Sequence, residues 1–317
     1  MDSSSSTLIL PPPLNLKPNK LLGEEKLVLL EFLGDYLEFG FFNGDQEATL
    51  LAASQIKTAC LKHGFFQVIN HGVDESVIQS VHQQMDAFFK LPFSKKLSVR
   101  RKPGGLCGYS GAHADRFSDK LPWKETFSFT YEHANSCGLD VVNYIKSVLG
   151  QEFEEVGYVY QTYCEAMKTL SLVILELLAI SLGVDRLHYR KLLEDGSSIM
   201  RGNNYPPCRE AGLTLGTGPH SDPSSLTYEA LSNGRYKSCL HRAVVNKDSV
   251  RRSLVFFVNP KEDKIVRPPQ DLMSRQEERQ YPDFTWSHLR EFTQNHYRAD
   301  TATLRNFVQW LSLLQQK

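Results

Sequence analysis

The hydrophobic period changes from helical to β-like in the middle of this chain, and that change limits the fold more than any other feature. From about residue 152 to 183 apolar residues recur near helical spacing, uninterrupted by proline, through the run "LSLVILELLAISLGV". From about 198 to 260 the pattern becomes short β-like runs, "SIMRGNNYP", "LTLGTGPHSD", "SSLTYEAL", "YKSCLHRAVV" and "SVRRSLVFFVN", separated by turn signals. Asn233-Gly234 reads as a hairpin turn. Further helical patterns cover about 46 to 63, 74 to 90, 285 to 297 and 300 to 315, with "FFQVIN" as a short strand after the first. Helices around an antiparallel core, without an internal repeat, predict one mixed α and β domain built on a β-sandwich or jelly roll.

Composition narrows the partners. The chain has 317 residues, 41% of them hydrophobic, enough for a sizeable core. Lys plus Arg and Asp plus Glu both total 36, so no basic excess points to nucleic acid or to an anionic membrane surface. A small-molecule partner is expected, and the oligomeric state is left open. Six cysteines without CxxC pairing read as reduced thiols. The start "MDSSSSTLILPPPLNLKPNK" has no basic region before an apolar helix, and the longest apolar run carries Glu176, so a cytoplasmic protein is expected. Residues 1–20, rich in Ser and Pro, read as a disordered tail.

The chemistry-bearing residues lie in the β-patterned part. His220 and Asp222 are two apart at a strand end, where side chains share a face. With a second histidine, His241, they make a 2-His-1-carboxylate set that leaves positions open on iron(II). Arg251 and Ser253 have the same spacing, and an arginine fork with a neighbouring hydroxyl suits a carboxylate. Asn203 and Tyr205, also two apart, precede a Pro-Pro that stops their strand.

In the order NxYPPC, HxD, His, RxS the chain resembles the plant 2-oxoglutarate- and iron-dependent dioxygenases, from "CLKHGFFQVINHGVD" at 60–74 to the C-terminal "YPDFTWSHLREFTQNHYRAD". Within them, "LPWKETFSF" at 121–129, "LGTGPHSDPSSLT" and "NHYRAD" are similar to gibberellin 20-oxidases. The resemblance implies a double-stranded β-helix, or jelly roll, flanked by helices, with residues 21–190 as a mainly helical N-terminal region and 191–317 as the Fe(II)/2-oxoglutarate core with C-terminal helices. It implies that His220, Asp222 and His241 ligate Fe(II), and that Arg251, Ser253, Tyr205 and Asn203 hold the 2-oxoglutarate cosubstrate. Leu121, Pro122, Trp123, Lys124, Glu125 and Thr126 would face the substrate, Trp123 against a diterpene skeleton and Lys124 against a carboxylate. The implied reaction consumes O2 and 2-oxoglutarate, with ascorbate as a stimulant, and oxidises carbon 20 of a C20 gibberellin.

The chain departs from that pattern in its middle. His241 follows His220 by only 21 residues, where family members have a longer stretch that carries several strands, so the core is expected to be incomplete. Asn204 replaces the middle tyrosine of NYYPPC, and "LVLLEFLGDYLEFGFF" stands where family members begin with a VPxIDL strand. If Asn233-Gly234 closed a simple hairpin, His241 would face Leu226, roughly 13 Å along the strand from Asp222, too far for ligand bonds near 2 Å. The 19 residues from Asp222 to His241 could instead reach roughly 60 Å and loop out before returning. An active oxygenase and a catalytically dead, truncated or splice-variant relative that at most binds a ligand or partner are therefore both open.

Overall fold

The computed structural model describes residues 29–31, 46–111, 122–132, 140–273, 278–296 and 303–315. The tail at 1–20, the site residue Leu121 and the last residues of "NHYRAD" lie outside them.

Helices α1 (Gln46–Lys62), α2 (Glu75–Lys90), α3 (Phe93–Ser98), α4 (Val141–Leu149), α5 (Glu154–Leu182) and α6 (His188–Leu193) form one side of the molecule. α5 starts with Glu154 and Glu155 against the positive end of its dipole and stops at Gly183 in the left-handed region, φ 74°. The short strands β1 (Leu29–Glu31) and β2 (Gln67–Ile69) pair in parallel beside them. In front lies a four-stranded antiparallel sheet in the order β3 (Gly108–Gly111), β4 (Glu125–Tyr131), β5 (Ser198–Tyr205), β8 (Arg251–Val258).

One face of this sheet packs on the helices. Phe127 and Phe129 of β4 and Met200 of β5 are fully buried with Met85, Phe88, Ile145 and Tyr160. Gly202 lets Met85 approach, because a Cβ there would fall 2.3 Å from the methionine sulfur. The opposite face carries Thr126, Asn203, Tyr205, Arg251 and Ser253, since Thr126 pairs with Asn203, Asn203 with Ser253 and Tyr205 with Arg251.

A second layer consists of β6 (Thr217–His220) and β7 (His241–Ala243), antiparallel. Between them the chain forms α7 (Pro223–Leu231). The expected strand "SSLTYEAL" is thus a helix, and the expected hairpin is absent. Asp222 stands at its N-cap and Pro223 in its first turn, where a missing N–H costs nothing, while Leu226, Thr227, Ala230 and Leu231 bury a stripe at helical spacing. Asn233 (φ 52°) and Gly234 (φ 79°) end the helix, with the Gly234 N–H returning to Glu229 O at 2.7 Å. A small pair, β9 (Ile265–Val266) with β10 (Phe284–Thr285), and helices α8 (Trp286–Asn295) and α9 (Thr303–Gln315) complete the core around α7. No helix among the described residues is long and apolar enough to cross a membrane.

Candidate metal centre

The register of β6 and β7 places His220 directly opposite His241. The simple hairpin would have set Leu226 there. α7 and the turn after it use up the intervening residues, so the two histidines meet in spite of the short spacing. Their ring centres are 4.2 Å apart. Asp222 Oδ1 lies 3.5 Å from His220 Nε2 and 3.9 Å from His241 Nε2, and one ligand atom from each residue lies within 4.8 Å of the others. A facial set with bonds of about 2.1 Å holds its donors about 3 Å apart, so rotamer adjustments of about an ångström close the cluster on an ion.

The hydrogen bonding fits a metal. His220 Nδ1 is 2.8 Å from Gly218 O, and His241 Nδ1 is 3.2 Å from Cys239 O. A carbonyl only accepts, so each Nδ1 carries the proton and each Nε2 keeps its lone pair toward Asp222, the usual outer-shell arrangement of a ligating histidine. Asp222 occupies an N-cap position yet makes no side-chain cap bond; its carboxylate turns to the histidines instead. Burial lowers the pKa of His220, and the neighbouring His241 and Lys124 add to this against the Gly218 bond and Asp222. A neutral, metal-ready imidazole is favoured.

Across from this layer stands the polar face of β5 and β8. The Arg251 guanidinium is 5.1 Å from the centre of the Tyr205 ring, and Asn203 Nδ2 donates to Ser253 Oγ at 3.1 Å. The buried Asn203 Oδ1 has no hydrogen-bond partner, so polar capacity is left on this face. Arg252 points to the other face and pairs with Asp86 of α2. Lys124 Nζ is 5.9 Å from the Tyr205 ring centre and donates to Thr217 Oγ1 at 2.9 Å; the Tyr205 hydroxyl is 3.4 Å from the same oxygen. Thr217, which no motif in the sequence marks, thereby ties the histidine strand to the arginine wall. Gly216 permits the contact, because a Cβ there would lie 2.4 Å from the Tyr205 ring.

The described part of the 121–126 stretch divides between two jobs. Trp123 is 41% exposed, and its indole donates to Pro206 O at 3.0 Å, clamping the Pro-Pro turn. Thr126 lies on the polar face. Glu125 points to the helices, where Lys96 Nζ (2.6 Å), the Tyr109 hydroxyl (2.5 Å) and Asn204 Nδ2 (3.2 Å) all donate to it. Burial works against its charge, but these bonds outweigh burial and keep its carboxyl below the ordinary range. Asn204, the departure from NYYPPC, is therefore occupied on the helix side.

Behind the ligands a cavity of about 400 Å³ is lined by Ser221, Leu226, Glu229, Ser238, Leu240 and Tyr281, among others. Glu229 of α7 accepts from the Tyr281 hydroxyl at 3.0 Å and from the Ser238 N–H at 3.2 Å, fixing the segment that leads to His241. Burial raises its pKa against those two bonds. Nothing in the local sequence marks this residue.

This fold and this triad define a non-haem oxygenase. The family description "non-haem dioxygenase in morphine synthesis N-terminal" matches residues 36–144, and "2OG-Fe(II) oxygenase superfamily" matches 228–260, which includes His241, Arg251 and Ser253. Among solved structures, that of JOX2 in complex with 2OG, Fe and JA superposes with a TM-score of 0.71 at 24% identity, covering 81% of this chain and 86% of that one. The rice dioxygenase for auxin oxidation superposes at 0.68 with 20% identity, covering 88% and 99%. These two establish the fold alone. Gibberellin 20 oxidase 2 of Arabidopsis thaliana is 46% identical over 352 aligned positions, covering 98% of this chain and 92% of that one. Gibberellin 20 oxidase 1 of the same plant is 48% identical, covering 84% and 80%. The chain belongs to the plant 2OG-Fe(II) dioxygenases and is closely related to the gibberellin 20-oxidases.

Proposed function

We infer that the chain is an Fe(II)- and 2-oxoglutarate-dependent oxygenase of the gibberellin 20-oxidase type, acting on carbon 20 of C20 gibberellins. The observation that carries this reading is the pairing of His220 with His241 beside an uncapped Asp222, each Nδ1 tied to a carbonyl. A bound iron supplies the redox chemistry and the positions for 2-oxoglutarate and O2. The chain's own part is placement. His220, Asp222 and His241 hold the ion. Arg251, flanked by Ser253, Asn203 and Tyr205, takes the distal carboxylate of the cosubstrate; a turn of the Asn203 amide lets its oxygen accept from Ser253 and its N–H₂ face the ligand. Lys124 brings a positive charge beside Thr217, toward a substrate carboxylate, and Trp123 offers an apolar ring at the rim.

A second reading, ligand binding without turnover, has its own support. The side chains of His220, Asp222 and His241 are 25%, 33% and 43% exposed, whereas oxidation at a metal benefits from a site closed to water. An alignment of 352 positions on a chain of 317 residues must also open gaps in this chain, and this reading puts them in the short stretch between His220 and His241. The two readings separate in one assay. The chain and a chimera with a relative's middle segment inserted between Thr227 and Ala230 are given Fe(II), 2-oxoglutarate, ascorbate and a C20 gibberellin. Succinate and oxidised gibberellin from the chain itself support oxygenase function. Cosubstrate binding with turnover only in the chimera establishes the second reading.

A further inference from the structure

Both β layers end on open edges among the described residues, and both edges lie on the same side. The larger sheet ends in β8 and the smaller in β7. Tyr205 of β5 and Lys124, just before β4, both touch Thr217 of β6, while the chain leaves β7 at Ala243 and enters β8 at Arg251, which puts β6 toward the β4–β5 side and β7 toward β8. Among the described residues, both strands leave one row of backbone N–H and C=O groups without a strand neighbour. β8 is eight residues of "RRSLVFFV" with no proline; beyond the exposed Arg251 every residue is half-buried. Around the two edges Leu240, Val244 and Val250 are 39%, 57% and 43% exposed. Open edges of this length and composition recruit another strand.

We propose that this side is a dimer interface, on which a second copy of the chain sets its own β8 antiparallel to β8 and its β7 beside β7 about one twofold axis. The occupant follows from shape and charge. A stepped edge of one long and one short strand is matched by the same edge turned over, and a twofold makes every contact reciprocal. Side chains keep their sheet face when paired numbers sum to an even value. In the register centred on Leu254, Arg251 then faces Phe257 and Arg252 faces Phe256, so every arginine meets an aromatic ring and no two guanidinium groups oppose each other. The joined layers run β3-β4-β5-β8-β8-β5-β4-β3 and β6-β7-β7-β6.

Sedimentation velocity over a wide concentration range tests this, with hydrogen exchange on the same samples. The expected result is a monomer–dimer equilibrium in which amides of 251–258 gain protection with concentration. Val244→Asp combined with Val250→Asp should give a monomer with unchanged far-UV circular dichroism, because both side chains are solvent-exposed. Leu50→Asp with Leu51→Asp, on the exposed face of α1, should leave the dimer intact. A monomer at every concentration, open-ended oligomers, a dimer that survives the Val244 and Val250 changes, or one lost on changing Leu50 and Leu51 would each overturn the proposal.

Discussion

Arg251 and Arg252 are adjacent in sequence yet face opposite sides of one strand, so substituting each by lysine separates binding from stability. Arg251 stands on the polar face over Tyr205; Arg252 stands on the helix face against Asp86. A lysine at 251 keeps a charge and an attraction to the ring but loses the two-pronged fork. A hydrogen bond to a charged group contributes about 1.5–3 kcal/mol, so losing one prong should raise the 2-oxoglutarate Kd by about 10- to 150-fold. Folding stability should barely change. At 252 the side chains of the pair are 32% and 24% exposed, and an ion pair in that setting contributes up to about 1 kcal/mol. Arg252→Lys should therefore lower Tm by about 4 °C at most and leave the Kd within about twofold. The readouts are titration calorimetry of 2-oxoglutarate into the metal-loaded protein without oxygen, and thermal unfolding of the free protein. Equal losses of affinity at both positions, or a loss at 252 alone, would refute the assignment of faces to functions.

Three further outcomes follow from the geometry. Fe(II) with 2-oxoglutarate should raise Tm by mass action, and His220→Ala or Asp222→Ala should abolish the rise; an unchanged rise in both variants would place the ligand elsewhere. Glu229 holds its proton more tightly in the folded than in the unfolded chain, chiefly through burial. Its contribution is therefore most favourable below the ordinary glutamate range and falls as pH rises toward its folded pKa, and Glu229→Gln should flatten that part of a urea-midpoint profile. Gly216→Ala should cost about 1–3 kcal/mol by urea unfolding, because its Cβ would overlap the Tyr205 ring, and a cost near zero would show that the ring moves aside freely.

What could be read from the sequence was what local pattern decides. α1, α2 and α5 match the periodic stretches to within a few residues, because a long apolar stripe has no second interpretation. "SSLTYEAL" does have one. Leu226, Tyr228 and Ala230 alternate as in a strand, while Leu226, Ala230 and Leu231 form a helical stripe, and eight residues are too few to choose. Tertiary packing chose: Tyr228 stacks edgewise on Tyr189 of α6, and Leu226, Ala230 and Leu231 enter the core with α8 and α9. Asn-Gly then served its other use, as a helix stop with positive φ. The parity of Arg251 and Ser253 was legible because β8 is regular. The partners of Glu125 were not, since Lys96 and Asn204 reach it from 29 residues before and 79 after.

The short spacing between the histidines is thus compatible with an assembled metal centre. A helix rises only about 1.5 Å per residue against about 3.3 Å in a strand, so α7 takes up chain without carrying it far from Asp222. Leu226, Ala230 and Leu231 anchor that helix in the core, and Glu229 binds the returning segment through the Ser238 N–H three residues before His241. The ligand register consequently depends on contacts made by α7 and the β6–β7 pair themselves, and on Thr217 and Gly216 against Tyr205. The ligands and the carbonyl partners of both histidines all come from β6, β7 and the residues beside them, whereas His241 and the apolar residues of β8 are only partly covered. Metal and cosubstrate affinity should accordingly survive in this chain better than efficient turnover, because holding an ion needs only the triad, whereas oxidising a substrate also needs water kept out.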